Sequence, residues 1–384
     1  MIRWLMAFLF AANLATAQVA VDPARTSVSD GWWTLEVALG FDRITPYRVF
    51  TLDDPRRLVI DVEGASFAGL DADSILSGDR AEAVRFGPLR PGWSRMVIDL
   101  AEPLVIAQAG MVAAEAGADL TIILDRASPE VFADKAGAPP DPGWDVVTGF
   151  DPKVAADLAK SEDFVVVIDP GHGGIDPGAV RGGIKEADLM LLLAMEMAVV
   201  LNAQEGVQAV LTRDADVFVP LAARMTLARQ VGADLFVSLH ADALEEDDVR
   251  GASIYTLSPD GGSAAARRSV ERHERGDLLA GVDLHATEDR VATALMDLAR
   301  AETGPEARRI ADALVASLQA QGVLLNGNPR RQGQFAVLTA ADFPSVLIEA
   351  GFLSNAQDRA VLATAEGRAR ISRALRDTVV LLAR

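Results

Sequence analysis

A chain of 384 residues, half of them hydrophobic, is long enough for two domains and too apolar for global disorder. The absence of cysteine excludes disulfides and thiolate metal sites, so any metal must be held by histidine and carboxylate. A formal net charge of -19 argues against a nucleic-acid partner, because phosphate backbones are bound by clustered Lys and Arg.

Residues 1–17 read as a secretory signal peptide. Met1-Ile2-Arg3 carries a positive charge, residues 4–12 form a short apolar run, and Ala15-Thr16-Ala17 fits a small-x-small cleavage pattern before Gln18. The run is too short to span a bilayer comfortably, and an uncleaved anchor is the alternative. The mature chain is expected to carry no transmembrane segment. Residues 19–125 read as β. Candidate strands at 32–39, 47–52, 57–62, 94–100 and 120–124 are separated by Gly, Pro and Asp clusters, which predicts a small β-sandwich. Residues 126–162 are expected to form a linker, since Ala136-Gly137-Ala138-Pro139-Pro140-Asp141-Pro142-Gly143 can continue neither helix nor strand.

Residues 163–384 alternate strand and helix. The pattern predicts strands at 164–168, 208–212, 234–239, 252–257 and 345–348, and helices at 186–201, 221–231 and 307–319. That is the signature of an α/β fold with a mostly parallel sheet flanked by helices. One stretch breaks the alternation. About fifty residues separate the strand at 252–257 from the helix at 307–319, with helical character at 264–275 and 291–301. A crossover needs far fewer, so a helical insert is expected at about 260–304.

Three of these strands end in a metal-capable or basic side chain: His172 beyond the first, His240 after the third and Glu349 after the last. Ligands bind at such strand ends in open α/β sheets. The Gly-rich loop around His172 is by itself equally compatible with a phosphate cradle, although Pro177 and residues 178–183 intervene before the next helix. Glu186 opens that helix, where it either complements the helix dipole or joins the histidines. Two histidines and one glutamate are a known composition for a catalytic zinc site with one position left for water. No His-Glu-x-x-His helix is present. Amide hydrolysis also needs a base for the water and an acid for the leaving nitrogen, which Glu349 can supply; the alternative is a paired structural carboxylate. After it, Gly351 allows a tight turn, and Ser354 or Asn355 is placed to cap the next helix.

Four strings carry a family resemblance: Pro170-Gly171-His172-Gly173-Gly174-x-Asp176-Pro177-Gly178, Lys185-Glu186, Ser238-Leu239-His240-Ala241-Asp242 and Glu349-Ala350-Gly351-Phe352-Leu353-Ser354-Asn355. They resemble, in family order and over roughly residues 165–382, the zinc-dependent N-acetylmuramoyl-L-alanine amidases of the amidase-3 type. The resemblance implies that His172, Glu186 and His240 bind Zn2+, that Glu349 is the catalytic acid/base, and that the sheet has about six strands. Ala350 departs mildly from the Thr or Ile common at that place. Residues 19–125, best at 55–62, resemble more loosely the AMIN-type β domain that precedes such amidases in Gram-negative cell-division enzymes and targets them to peptidoglycan. Residues 271–282 resemble the regulatory helix that covers the zinc until an activator protein of the LytM type displaces it. In relatives a glutamate of that helix takes the open zinc position. His273 aligns with it here, flanked by Glu271 and Glu274; a solvated helix face is the alternative. His285 has no motif around it and reads as structural or exposed.

The expected function is therefore a periplasmic peptidoglycan amidase that cleaves the amide between N-acetylmuramic acid and L-alanine of the stem peptide. It would act in cell-wall remodelling and daughter-cell separation. The alternative is a catalytically silent peptidoglycan-binding division adaptor. A phosphate-binding hydrolase is disfavoured because no Gly-Lys-Ser/Thr follows the glycines.

Overall fold

Alternating apolar and polar side chains give the N-terminal region two sheets whose inner faces meet. In the computed structural model, which describes residues 18–138, 158–159, 161–258, 267, 270, 290–340 and 342–383, ten strands build this region. They are β1 (Val19–Asp30), β2 (Thr34–Phe41), β3 (Tyr47–Leu52), β4 (Arg57–Glu63), β5 (Ala65–Ser66), β6 (Leu76–Ser77), β7 (Ala81–Arg90), β8 (Trp93–Leu100), β9 (Leu104–Ala114) and β10 (Gly117–Arg126). A short helix α1 (Ala72–Ile75) precedes β6. One sheet runs β5-β1-β2-β10-β9, with β6 also on β1; the other runs β3-β4-β8-β7. Leu35, Val37, Leu39 and Phe41 of β2 point inward at every second residue, and Leu58, Ile60, Met96 and Ile98 meet them from the facing sheet. The expected sandwich is present. Its second sheet carries a buried, in-register ion pair: Arg95 Nη2 donates to Asp61 Oδ2 at 2.8 Å.

Regular structure continues past residue 126, where a linker is expected. Ser128 Oγ accepts the Val131 N–H, Pro129 occupies the first turn, and helix α2 (Pro129–Lys135) buries Phe132 in the sandwich core. Residues 1–17, most of the remaining linker and most of the expected insert, with Glu271, His273, Glu274 and His285, lie outside the described residues.

The second unit contains β11 (Phe164–Pro170), β12 (Val180–Arg181), β13 (Ile184–Lys185), helix α3 (Glu186–Asn202), β14 (Val207–Leu211), α4 (Leu221–Gln230), β15 (Leu235–His240) and β16 (Ala252–Leu257). It continues with α5 (Arg290–Ala320), β17 (Leu325–Gly333), β18 (Ser345–Glu349), α6 (Ala356–Leu362) and α7 (Ala365–Leu382). Six strands form one sheet in the order β14-β11-β15-β18-β16-β17, parallel throughout except where β16 meets β18. Successive residues of β11 face opposite sides. Val166 and Ile168 pack with Leu193, Leu314 and Leu375 from α3, α5 and α7, whereas Val165 and Val167 pack with Met225 from α4. Both faces are thus covered, which is why these strands read as continuous apolar runs. The segments 291–301 and 307–319 are one helix, α5, which runs through Pro305. Among the described residues no helix is long and apolar enough to cross a membrane.

The sheet order places the site. β11 and β15 are neighbours in which Pro170 pairs with Leu239, and β15 and β18 are neighbours in which His240 pairs with Glu349. Three parallel strands therefore end along one edge of the sheet, two of them in His240 and Glu349 and the third two residues before His172.

Candidate metal centre

His172 leaves β11 in the left-handed region, at φ 61°. A histidine held there costs on the order of 1–3 kcal/mol, so the surroundings must enforce it. Two buried arginines do so. Arg213 donates to the carbonyls of Pro170 at 3.0 Å and Gly171 at 2.9 Å, and Arg224 to those of Pro170 and His172 at 2.9 Å each. Arg224 also pairs with buried Asp169 at 2.7 Å, which accepts Thr212 Oγ1 at 2.6 Å and Ser238 Oγ at 3.0 Å. Burial, with Arg224 beside it, pushes Arg213 down to about 10.

Glu186 is the first residue of α3, yet its carboxylate is not spent on the helix terminus. It is 1 % exposed; Oε1 accepts the Ala241 N–H and Oε2 the Ala179 N–H, both at 2.9 Å. His172 Nε2 lies 3.3 Å from Oε2 and His240 Nδ1 lies 3.1 Å from Oε1. The two imidazoles meet edge to face with centroids 5.0 Å apart. On its far side, His172 Nδ1 is 2.7 Å from Asp176 Oδ2. Asp176 thus orients the ring from Nδ1 and turns Nε2 toward Glu186, the arrangement by which an outer carboxylate fixes a ligating histidine.

The electrostatics agree with a cation site. Burial opposes the charge on Glu186, but the facing His172 and His240 hold its carboxyl well below the ordinary range. Burial likewise works against a charged His172, while Glu186 and Asp176 raise it well above an ordinary imidazole. With both imidazoles neutral, as metal ligation requires, the two buried carboxylates would leave an excess of negative charge for a cation to balance. A divalent ion fits the donors: one atom from each of His172, Glu186 and His240 lies within 4.8 Å of the others. The two imidazoles face different oxygens of Glu186, at 3.3 and 3.1 Å, so the three side chains close on one space between them.

Glycines make room for this closeness. A Cβ on Gly171 would lie 2.3 Å from His240 Cε1, and one on Gly178 would lie 2.6 Å from His172 Cδ2 and 2.8 Å from Glu186 Oε2. The Gly-rich loop therefore lets imidazoles and carboxylate approach its backbone, a use different from cradling phosphate.

Glu349 is fully buried at the end of β18, in register with His240. Its Oε2 accepts the Asp242 N–H at 3.2 Å. Ala350 N–H donates to the His240 carbonyl at 2.8 Å and Leu353 N–H to that of Asp242 at 2.7 Å, so the chains leaving β15 and β18 are laced together. Asn355, one of the two expected caps, accepts the N–H groups of Gln357 at 3.0 Å and Asp358 at 3.2 Å. His172, Glu186 and His240 thus cluster at one sheet edge with Glu349 on the adjoining strand end; Glu271, His273 and Glu274 lie outside the described residues. Sequence reasoning assigned no role to Asp169, Asp176, Arg213 or Arg224. Asp176 stood inside a quoted motif. The arginines carried no signal beyond their place just after β14 and in α4.

Comparison with known proteins bears on the same residues. The family model Amidase_3, N-acetylmuramoyl-L-alanine amidase, matches residues 166–380, and the AMIN domain model matches residues 25–115. The chain is 32% identical over 338 residues to N-acetylmuramoyl-L-alanine amidase AmiC of Neisseria meningitidis serogroup B, covering 82% of this chain and 79% of that one. It is 36% identical over 218 residues to N-acetylmuramoyl-L-alanine amidase AmiA of Escherichia coli, covering 56% and 75%. Among solved structures, N-acetylmuramoyl-L-alanine amidase AmiC2 of Nostoc punctiforme is similar at 28% identity and a TM-score of 0.41, over 57% of this chain and 96% of that one.

Proposed function

Because the chain belongs to the N-acetylmuramoyl-L-alanine amidase family and carries an AMIN domain, we propose that it is a zinc-dependent peptidoglycan hydrolase. It cleaves the amide between N-acetylmuramic acid and L-alanine of the stem peptide. The observation that carries this reading is the buried His172, Glu186 and His240 cluster with Glu349 on the adjacent strand end.

Each residue has a part. His172, Glu186 and His240 would hold the zinc, with Asp176 orienting His172 through Nδ1. When bound, zinc polarises the scissile carbonyl and lowers the pKa of attacking water. Glu349 would take a proton from the attacking water and return it to the leaving nitrogen, so one carboxylate would serve as base and then acid. Arg213 and Arg224 keep the His172 loop in its strained path.

Purified protein incubated with peptidoglycan is expected to release stem peptides, to lose that activity with a strong chelator and to recover it with added zinc. A protein that binds peptidoglycan, holds no zinc and releases no peptide is instead the silent adaptor.

The same reading includes export to the periplasm after removal of residues 1–17, a linker before the catalytic domain, and a part in daughter-cell separation. It also includes autoinhibition by the insert, with His273, Glu271 or Glu274 filling the open zinc position until a LytM-type activator withdraws the helix. The family resemblance of residues 271–282 supports this. Replacing residues 260–289 by a short Gly/Ser linker is expected to raise basal peptide release severalfold at unchanged zinc content. Unchanged release from a folded, zinc-loaded variant would remove autoinhibition from the reading.

A further inference from the structure

We infer that the β domain is a positioning element for the metal-site loop: the outer edge of β7 grips Ile175, and through it Asp176 and His172. β7 is an edge strand of its sheet, so one side of its backbone is left for another partner. That partner is the loop. Ile175 N–H donates to the Pro88 carbonyl at 3.1 Å. The Ile175 side chain, 3 % exposed, packs with Leu89 and Val97 of the β domain and with Phe218 of the catalytic unit.

Both backbones need glycine to come this close. A Cβ on Gly87 would lie 2.8 Å from Ile175 Cα, and one on Gly174 would lie 2.1 Å from the Pro88 carbonyl oxygen. Gly174 also has φ 61°, which few other residues adopt. The loop is a closed unit, in which Gly173 N–H donates to the Asp176 carbonyl at 2.7 Å and Asp176 N–H to that of Gly173 at 3.1 Å. Gly174 N–H donates to Asp216 Oδ1 at 2.7 Å from the catalytic side. Ile175 sits at its tip, and the next residue, Asp176, holds His172 Nδ1. A tethered targeting module has no physical need to touch the catalytic unit, because interfaces between domains of one chain are often small and mobile. Here the contact falls on the residues that orient a metal ligand. Docking of the β domain therefore sets how firmly His172 is held.

The experiment uses the full-length chain. Gly87→Leu places a side chain where only backbone can yield, on the β-domain side and away from the metal ligands. In metal-free protein, amide hydrogen exchange across residues 171–178 is expected to quicken, while β8 stays protected and reports a folded β domain. Zinc affinity, read by chelator competition, is expected to weaken about tenfold, the scale of lost outer-shell support. Glu82→Gln, at an exposed position of β7, is expected to match wild type in both readings. Wild-type loop exchange and zinc affinity in Gly87→Leu with β8 protected would overturn the inference. If β8 protection is also lost, Leu89→Ala is decisive: quicker loop exchange supports the inference and unchanged exchange overturns it. The affinity arm rests on the zinc reading above. The exchange arm does not, so wild type that binds no zinc sinks that reading alone.

Discussion

Glu349→Gln is expected to lower stem-peptide release by about two to four orders of magnitude, the usual worth of a positioned acid/base, and to leave zinc content unchanged. The substitution is nearly isosteric, and the new carboxamide oxygen can still accept the Asp242 N–H that Glu349 Oε2 accepts at 3.2 Å. The strand end and its lacing to β15 should therefore survive. What is lost is the capacity to take up and return a proton. The measurement pairs metal analysis with kinetics on a soluble muropeptide, where kcat should fall and KM should barely move. Near wild-type turnover would place the base elsewhere. Loss of zinc together with activity would instead make Glu349 a fourth member of the metal site. Glu349→Asp, which withdraws the carboxylate by one methylene, should fall between wild type and Gln.

Much of the fold was legible where burial is regular. The expected strand at 47–52 coincides with β3 and that at 252–257 with β16, and the helix read from 186 starts there. β1 escaped because Pro23 and a register shift between Asp22 and Ser27 break the alternation that marks a strand. β17 escaped because Asn326-Gly327-Asn328-Pro329 reads as a turn; as an edge strand it can carry the proline without losing a ladder bond. The segments 291–301 and 307–319, read apart in the sequence, flank Pro305; one proline costs a helix about 3 kcal/mol, and Ile310 and Leu314 pack the later turns of α5 into the core. The site was legible for another reason. Histidines are few here, and those of the site and the glutamate facing them stand at strand ends or a helix start. The arginines that shape the site were not legible, because an arginine in sequence reads as solvated, and only the structure shows carbonyls waiting for it.

Arg224→Met is expected to be among the most destabilising single changes in the catalytic domain, by about 3–5 kcal/mol, because it breaks a buried ion pair from one side. Arg224 makes four hydrogen bonds: to Asp169 at 2.7 Å, and to the carbonyls of Val219 at 2.8 Å, Pro170 at 2.9 Å and His172 at 2.9 Å. Methionine fills similar volume and satisfies none of them. Asp169, whose ionisation burial opposes and Arg224 favours, would keep only Thr212 and Ser238 as partners. The freed His172 carbonyl removes one restraint on a residue at φ 61°, so zinc affinity should fall together with the melting temperature. The two losses separate in a double variant. Asp169→Asn with Arg224→Met removes the stranded charge and should recover part of the stability. Zinc affinity should stay low, since the His172 carbonyl still has no arginine to accept from. A double variant that regains both would make the ion pair a purely structural device. One that regains stability alone assigns Arg224 a separate part in holding the first metal ligand.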